Sequence, residues 1–260
     1  MCPATDSATF NEPIDVVCLH GFLGDSDEWQ PVIDCLPPRL RCHAPLLPGH
    51  DGNSPSGKTF DGLVDALWDK LEPQLPQFFV LVGYSLGGRL ALGLARRYPE
   101  RLRALILEAA HPGLQDSHER EDRKRHDAGW AKRFLNRPWL ESLEAWYRQP
   151  VFADLTEIRR RALIQRRSRH NPQHLAATLR AASLAGQPDL RPTLHALKIP
   201  VAYIVGAHDK KFSAIADTLL AELGSGLQRF QIAGVGHNCH IEAPEAIAAI
   251  IQRICTEDIL

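Results

Sequence analysis

The stretch LVGYSLGGRLA, Leu81–Ala91, passes from an apolar run into a serine set between glycines and then into a helical pattern. Within it Gly83-Tyr84-Ser85-Leu86-Gly87 fits G-x-S-x-G in a strand-turn-helix setting. Such a turn is too sharp to leave room for a Cβ beside the serine, and it presents the hydroxyl at a helix N-terminus. Four residues after Ser85 stands Arg89, on the same helical face about one turn on. A strand feeding directly into a helix here makes the chain α/β.

Working outward, short buried-type strands are predicted at DVVCLH (15–20), FFVLVG (78–83), RALILEA (103–109), PVAYIVG (200–206) and QRFQIA (228–233). Helical spacing falls between them at Phe60–Leu71, Leu86–Tyr98, Ser213–Leu223 and Pro244–Ile254. Alternation of this kind implies a mostly parallel sheet covered by helices on both faces. It breaks between His111 and Pro188, where strand-like runs vanish and charged helical sequence takes over, so residues 111–188 are expected to form a helical cap inserted into a core of 1–110 and 189–260.

Charge follows the same division. The whole chain of 260 residues has a formal net charge of -1, which offers no global attraction to nucleic acid or to an anionic membrane. Between His111 and Pro188, however, 15 Lys and Arg face 9 Asp and Glu, while the remainder carries 15 against 22. No apolar stretch has the length of a membrane span, and MCPATDSATFNEP lacks the basic and apolar regions of a signal peptide, so a cytoplasmic protein is expected. Six scattered cysteines without a C-x-x-C pair read as reduced thiols.

A serine hydroxyl needs a histidine to take its proton and a carboxylate to orient that histidine. Asp209 in VGAHDKKF and His237 in VGHNCH each follow a predicted strand, in the chain order Ser, Asp, His. Taken alone, Asp209 could be a turn acid and His237 a loop histidine. HGFLG, His20–Gly24, follows the first strand, so the backbone N–H groups of Phe22 and Leu86 are candidates for an oxyanion hole. The grouping His237, Cys239, His240 has no second ligand cluster at a metal-site spacing, and neither metal nor cofactor is expected. LLPGHDGNS (46–54) reads as an architectural turn, and Trp29 and Trp68 as core.

Arg89 near a helix N-terminus is disfavoured by the helix dipole unless an anion offsets it, so it is either a ligand group or a solvated surface arginine. The cap adds Arg120, Arg123, Arg125, Arg166, Arg167 and Arg169, with Trp146, Tyr147 and Phe152 nearby. Guanidinium groups grip carboxylates bidentately, and several over an apolar pocket would select a small polycarboxylate. Spacing leaves open which of them point inward.

From about Asp15 to the final helix the chain resembles the bacterial 2-succinyl-6-hydroxy-2,4-cyclohexadiene-1-carboxylate synthases of menaquinone biosynthesis, a branch of the α/β-hydrolase superfamily. HGFLGDSDEWQ, VGYSLGGR, HPGLQ, WYRQPVFADL, SLAGQPDLR and GHNCHIE carry the likeness, and HPGLQ and WYRQPVF are its most specific parts. The resemblance implies an α/β-hydrolase fold and a lyase that removes pyruvate from a succinyl-enolpyruvyl-hydroxycyclohexene carboxylate, with Ser85, His237 and Asp209 as a proton relay. It further implies substrate contacts from Arg89, Arg123, Arg167, Tyr84, Trp146 and Phe152. A carboxylesterase or carbon-carbon hydrolase using the same three residues is the alternative. A non-catalytic relative is disfavoured because all three members are present.

Overall fold

A computed structural model describes residues 13–257. Most of the N-terminal stretch read above, including Cys2, lies outside them. The sheet has six strands: β1 (Ile14–Leu19), β2 (Leu40–His43), β3 (Phe79–Tyr84), β4 (Leu102–Glu108), β5 (Val201–Gly206) and β6 (Gln228–Ile232). Their order is β2-β1-β3-β4-β5-β6, and every pair among the described residues is parallel. The chain leaves β1 toward β2 on one side and leaves β3 toward β4 on the other. Their carboxyl ends therefore flank the switch point where open α/β sheets hold ligands.

Eleven helices accompany the sheet among the described residues: α1 (Gln30–Ile33), α2 (Phe60–Leu71), α3 (Leu86–Arg97), α4 (Ser117–Asn136), α5 (Trp139–Trp146), α6 (Glu157–Arg167), α7 (Pro172–Ala181), α8 (Arg191–Ala196), α9 (Lys210–Leu223), α10 (Cys239–Glu242) and α11 (Pro244–Glu257). In α2 the Thr59 side chain caps the first turn by accepting from Gly62 N–H, and Phe60, Leu63, Val64, Leu67, Trp68 and Leu71 bury one stripe at helical spacing. The predicted helix at 213–223 begins earlier, at Lys210, because the Asp209 side chain accepts from Phe212 N–H and caps it. β2 escaped the strand reading because LRCH is short and polar at an edge, where only Leu40 is buried.

Helices α4 to α7 occupy the interval in which strand patterning stops. They gather a second apolar cluster containing Ala131, Phe134, Leu143, Tyr147 and Leu175. Leu23, just beyond the end of β1, belongs to that cluster rather than to the sheet's own core, which places these helices over the carboxyl edge of the sheet. Cys18, Cys35, Cys42, Cys239 and Cys255 are all free thiols. No helix among the described residues is long and apolar enough to cross a membrane.

Candidate active site

The turn at Ser85 has the geometry its glycines require. Ser85 sits at φ 50° and ψ -108°, a conformation that L residues seldom adopt. A Cβ on Gly87 would lie 2.3 Å from Leu19 O, and one on Gly83 would lie 2.6 Å from Gly87 O. The turn is held by Ser85 N–H donating to Glu108 O at 2.9 Å. Leu86 opens α3, so its N–H has no acceptor within the helix.

Opposite the serine, His237 Nδ1–H donates to Asp209 Oδ2 at 2.5 Å, and both side chains are buried. Asp209 thus caps α9 with one carboxylate oxygen and holds the histidine with the other. The His237 ring packs against Phe212 at 4.9 Å and Phe152 at 6.0 Å between centroids. Ser85 and His237 line the same cavity, about 330 Å³ in volume, together with Phe22 and Leu86. That volume suits one small organic molecule.

The loop carrying Phe22 is built by neutral histidines. His20 Nε2 accepts from Leu47 N–H and its Nδ1–H donates to Gly21 O. His50, from the turn read as architectural, accepts from Leu23 N–H through Nε2 at 3.1 Å. Burial pulls His20 down to about 3 and His50 well below the usual imidazole range, so both rings are uncharged at neutral pH. Leu23 itself takes a positive φ of 66°, and His170 Nε2–H donates to its carbonyl at 3.0 Å.

Arg89 is buried. Its Nε–H donates to Gln187 Oε1 and its Nη2–H to Ala182 O, each at 2.5 Å. Gln187 in turn donates to His111 O at 3.0 Å, so the segments HPGLQ and SLAGQPDLR form the cradle of this guanidinium. Desolvation, and then repulsion from Arg123, draw its pKa down to about 9, leaving it charged at neutral pH. Arg123 donates through Nε to both oxygens of Asp127, at 2.8 Å each. Arg89, Arg123, Trp146 and Phe152 all line the cavity.

Two predicted substrate contacts lie elsewhere. Arg167 is buried away from the cavity, ion-paired with Glu28 and, at 2.9 Å, with Asp25. Its neighbours Arg166 and Arg169 bind the same Asp25 carboxylate, so the run RRSRH latches α6 to the loop after β1. Tyr84 is buried behind the loop that carries His237, where its hydroxyl donates to Asn238 Oδ1 and its ring lies 5.3 Å from that of His237. Among the remaining alternatives, Arg120 donates to Ala185 O and Gln187 O, and Arg125 pairs with Asp122.

A family model described as the alpha/beta hydrolase family matches residues 16–250. The 2-succinyl-6-hydroxy-2,4-cyclohexadiene-1-carboxylate synthase of Enterobacter sp. (strain 638) is 46% identical over 240 residues, covering 92% of this chain and 90% of that protein. The chain belongs to this synthase family. A synthase of the same name from Klebsiella pneumoniae subsp. pneumoniae is 42% identical over 242 residues, 92% of each chain. The solved structure of MenH from S. aureus superposes with a TM-score of 0.87 at 27% identity, over 96% of each chain.

The cavity of this synthase-family chain also uses residues that sequence reading passed over. Lys211 lines it from the first turn of α9, its Nζ 5.6 Å from the Phe212 ring centroid. Burial and the nearby Arg123 lower its ammonium pKa. Its one available signal was proximity to Asp209, two residues earlier in DKKF. His126 and Gln149 line the same wall. Among the described residues no carboxylate lines the cavity, although Arg89, Arg123 and Lys211 all do. No group of His, Cys, Asp and Glu suited to a metal occurs among the described residues.

Proposed function

We propose that the chain eliminates pyruvate from 2-succinyl-5-enolpyruvyl-6-hydroxy-3-cyclohexene-1-carboxylate to give 2-succinyl-6-hydroxy-2,4-cyclohexadiene-1-carboxylate, as a cytoplasmic lyase of menaquinone biosynthesis that uses no cofactor. The observation that carries this reading is a cavity beside Ser85 and His237 lined by three cations and no carboxylate, in a chain 46% identical to a protein bearing that synthase name. The substrate has three carboxylates. Arg89, Arg123 and Lys211 supply a cation for each, and Phe22, Trp146 and Phe152 supply apolar walls for its ring. Arg167 acts in this reading through the latch to Asp25 and Glu28, and the cap comprises residues 111–188.

In the proposed reaction the relay of Ser85 and His237, oriented by Asp209, removes the proton on carbon 2 of the ring, next to the succinyl carbonyl. Electrons released from that C–H bond form a double bond between carbons 2 and 3, the double bond between carbons 3 and 4 moves to carbons 4 and 5, and the C–O bond from carbon 5 to the enolpyruvyl group breaks. The departing enolate takes up a proton and becomes pyruvate, so no acyl-enzyme forms and no water is consumed. Backbone N–H groups of Phe22 and Leu86 stabilise the charge that develops on the succinyl carbonyl oxygen. Pyruvate release measured against diene absorbance tests the reading: equimolar appearance of both, with little turnover of aryl esters, is expected. Rapid ester hydrolysis without pyruvate would replace it by a carboxylesterase.

A further inference from the structure

Beneath the candidate relay lies a second acid and histidine pair with no role so far. Glu108 ends β4 opposite Tyr84 in the sheet register, and its side chain is wholly buried. Its backbone oxygen accepts from Ser85 N–H at 2.9 Å. Its carboxylate Oε1 accepts from the His240 backbone N–H at 3.2 Å and from His240 Nδ1–H at 2.9 Å. His240 is equally buried, three residues beyond His237, with its ring stacked on Trp29 at 4.6 Å and tilted against Tyr84 at 4.6 Å. One residue therefore holds the nucleophile turn by its main chain and the histidine loop by its side chain.

A packing role alone does not account for this arrangement. Glu108 Oε2 and His240 Nε2 have no hydrogen-bond partner among the described residues, and stranding buried polar atoms costs stability. An apolar pair of similar volume would fill the space at no such cost. The polar pair instead fixes the distance between two loops whose relative placement governs proton transfer.

We propose that Glu108 is a positioning residue that, with His240, sets the spacing between Ser85 and His237. The proposal rests on those two side chains being the reacting pair. Three variants, Glu108→Ala, Glu108→Gln and Glu108→Asp, are compared well below their unfolding temperatures by pyruvate release and by the rate at which a fluorophosphonate modifies Ser85. Glu108→Ala is expected to lower kcat by about tenfold to a hundredfold, with KM held within about twofold, and to slow Ser85 modification in parallel. Glu108→Gln retains the Oε1 acceptor and is expected to stay within about threefold of the parent in both assays. Glu108→Asp withdraws the carboxylate by one methylene and serves in place of Ala should that variant not fold. In a Ser85→Ala background, Glu108→Ala should remove no further activity.

Loss confined to the melting temperature, unchanged kcat and labelling in folded Glu108→Ala or Glu108→Asp, or a Gln variant no better than Ala would each overturn the proposal. A parent protein that labels but releases no pyruvate refutes the lyase reading, while the labelling comparison still decides the role of Glu108. A parent that fails to label at Ser85 overturns the reacting pair and this proposal with it.

Discussion

Two groups of arginines behave oppositely in this molecule. Around Asp25, the guanidinium groups of Arg166, Arg167 and Arg169 converge on one carboxylate, and Glu28 adds a second acid to Arg167. Their combined field holds Asp25 far below the usual carboxylate range despite its burial. Around Ser85, Arg89 finds only neutral acceptors in Gln187 and Ala182, and no acid lines the cavity it faces. The chemistry of the residue is the same in both places. The local supply of carboxylates makes the first group a latch between α6 and the loop after β1, whereas at the cavity Arg123 has one acid, Asp127, and Arg89 has none.

The largest effect that separates the groups is on stability. Removing one member of a buried ion pair leaves the other charge uncompensated and typically costs about 3–5 kcal/mol. Arg167 and Glu28 are both nearly solvent-free, so Arg167→Met should lower the urea unfolding free energy by roughly that amount. At a temperature where the variant is folded, kcat/KM for pyruvate release should stay within about threefold of the parent. A hundredfold loss of kcat/KM at unchanged stability would return Arg167 to the substrate and dissolve the distinction.

Arg89 should show the reverse pattern, and Arg123 a loss of both kinds, because its removal also leaves buried Asp127 without its guanidinium. Arg89→Ala and Arg123→Ala each remove a charge-assisted contact, a loss of about 1.5–3 kcal/mol that appears as roughly a tenfold to hundredfold fall in kcat/KM. Arg89→Lys should rescue little, because an ammonium cannot reproduce the planar fork shared by Gln187 and Ala182. Lys211 is a point charge on a flexible stem, so Lys211→Met should chiefly raise KM, by about tenfold. Steady-state kinetics on the three variants checks the ranking, and effects below twofold at Arg89 would remove it from the set.

Much of this was readable from the chain. Strand and helix alternation announces a parallel sheet covered by helices, though not the order of its strands, and Gly83 and Gly87 announce the turn because a Cβ at either would strike backbone. The order Ser85, Asp209, His237 places three groups after strands, two of which meet at 2.5 Å. The cap arginines were not separable, since α4 and α6 are charged on nearly every face and spacing carries no information about partners on distant segments. Asp25 lies 142 residues from Arg167, and Gln187 lies 98 from Arg89. Lys211 was hidden because the start of α9 is set by the Asp209 cap, which extends the helix beyond its apolar pattern.

The smallest expected effect probes the histidines of the loop that the latch grips. His20 is wholly buried with its pKa lowered to about 3, first by desolvation, whereas in the unfolded chain it titrates near about 6.5. Below about 6.5 the unfolded state binds a proton that the folded state refuses, so stability is full above that value and is lost as pH falls toward 3. Each such histidine contributes a slope of about 1.4 kcal/mol per pH unit within that window. Urea unfolding between pH 7 and 5 should therefore show falling stability, on the acid side of neutrality and well above the range in which Asp25 protonates. His20→Gln should be less stable at pH 7, because Gln cannot accept from Leu47 N–H and donate to Gly21 O in the same geometry, yet its stability should fall less steeply with acid. Equal slopes for parent and variant would mean that His20 takes up its proton while folded, and the neutral scaffold around Phe22 would lose its electrostatic basis.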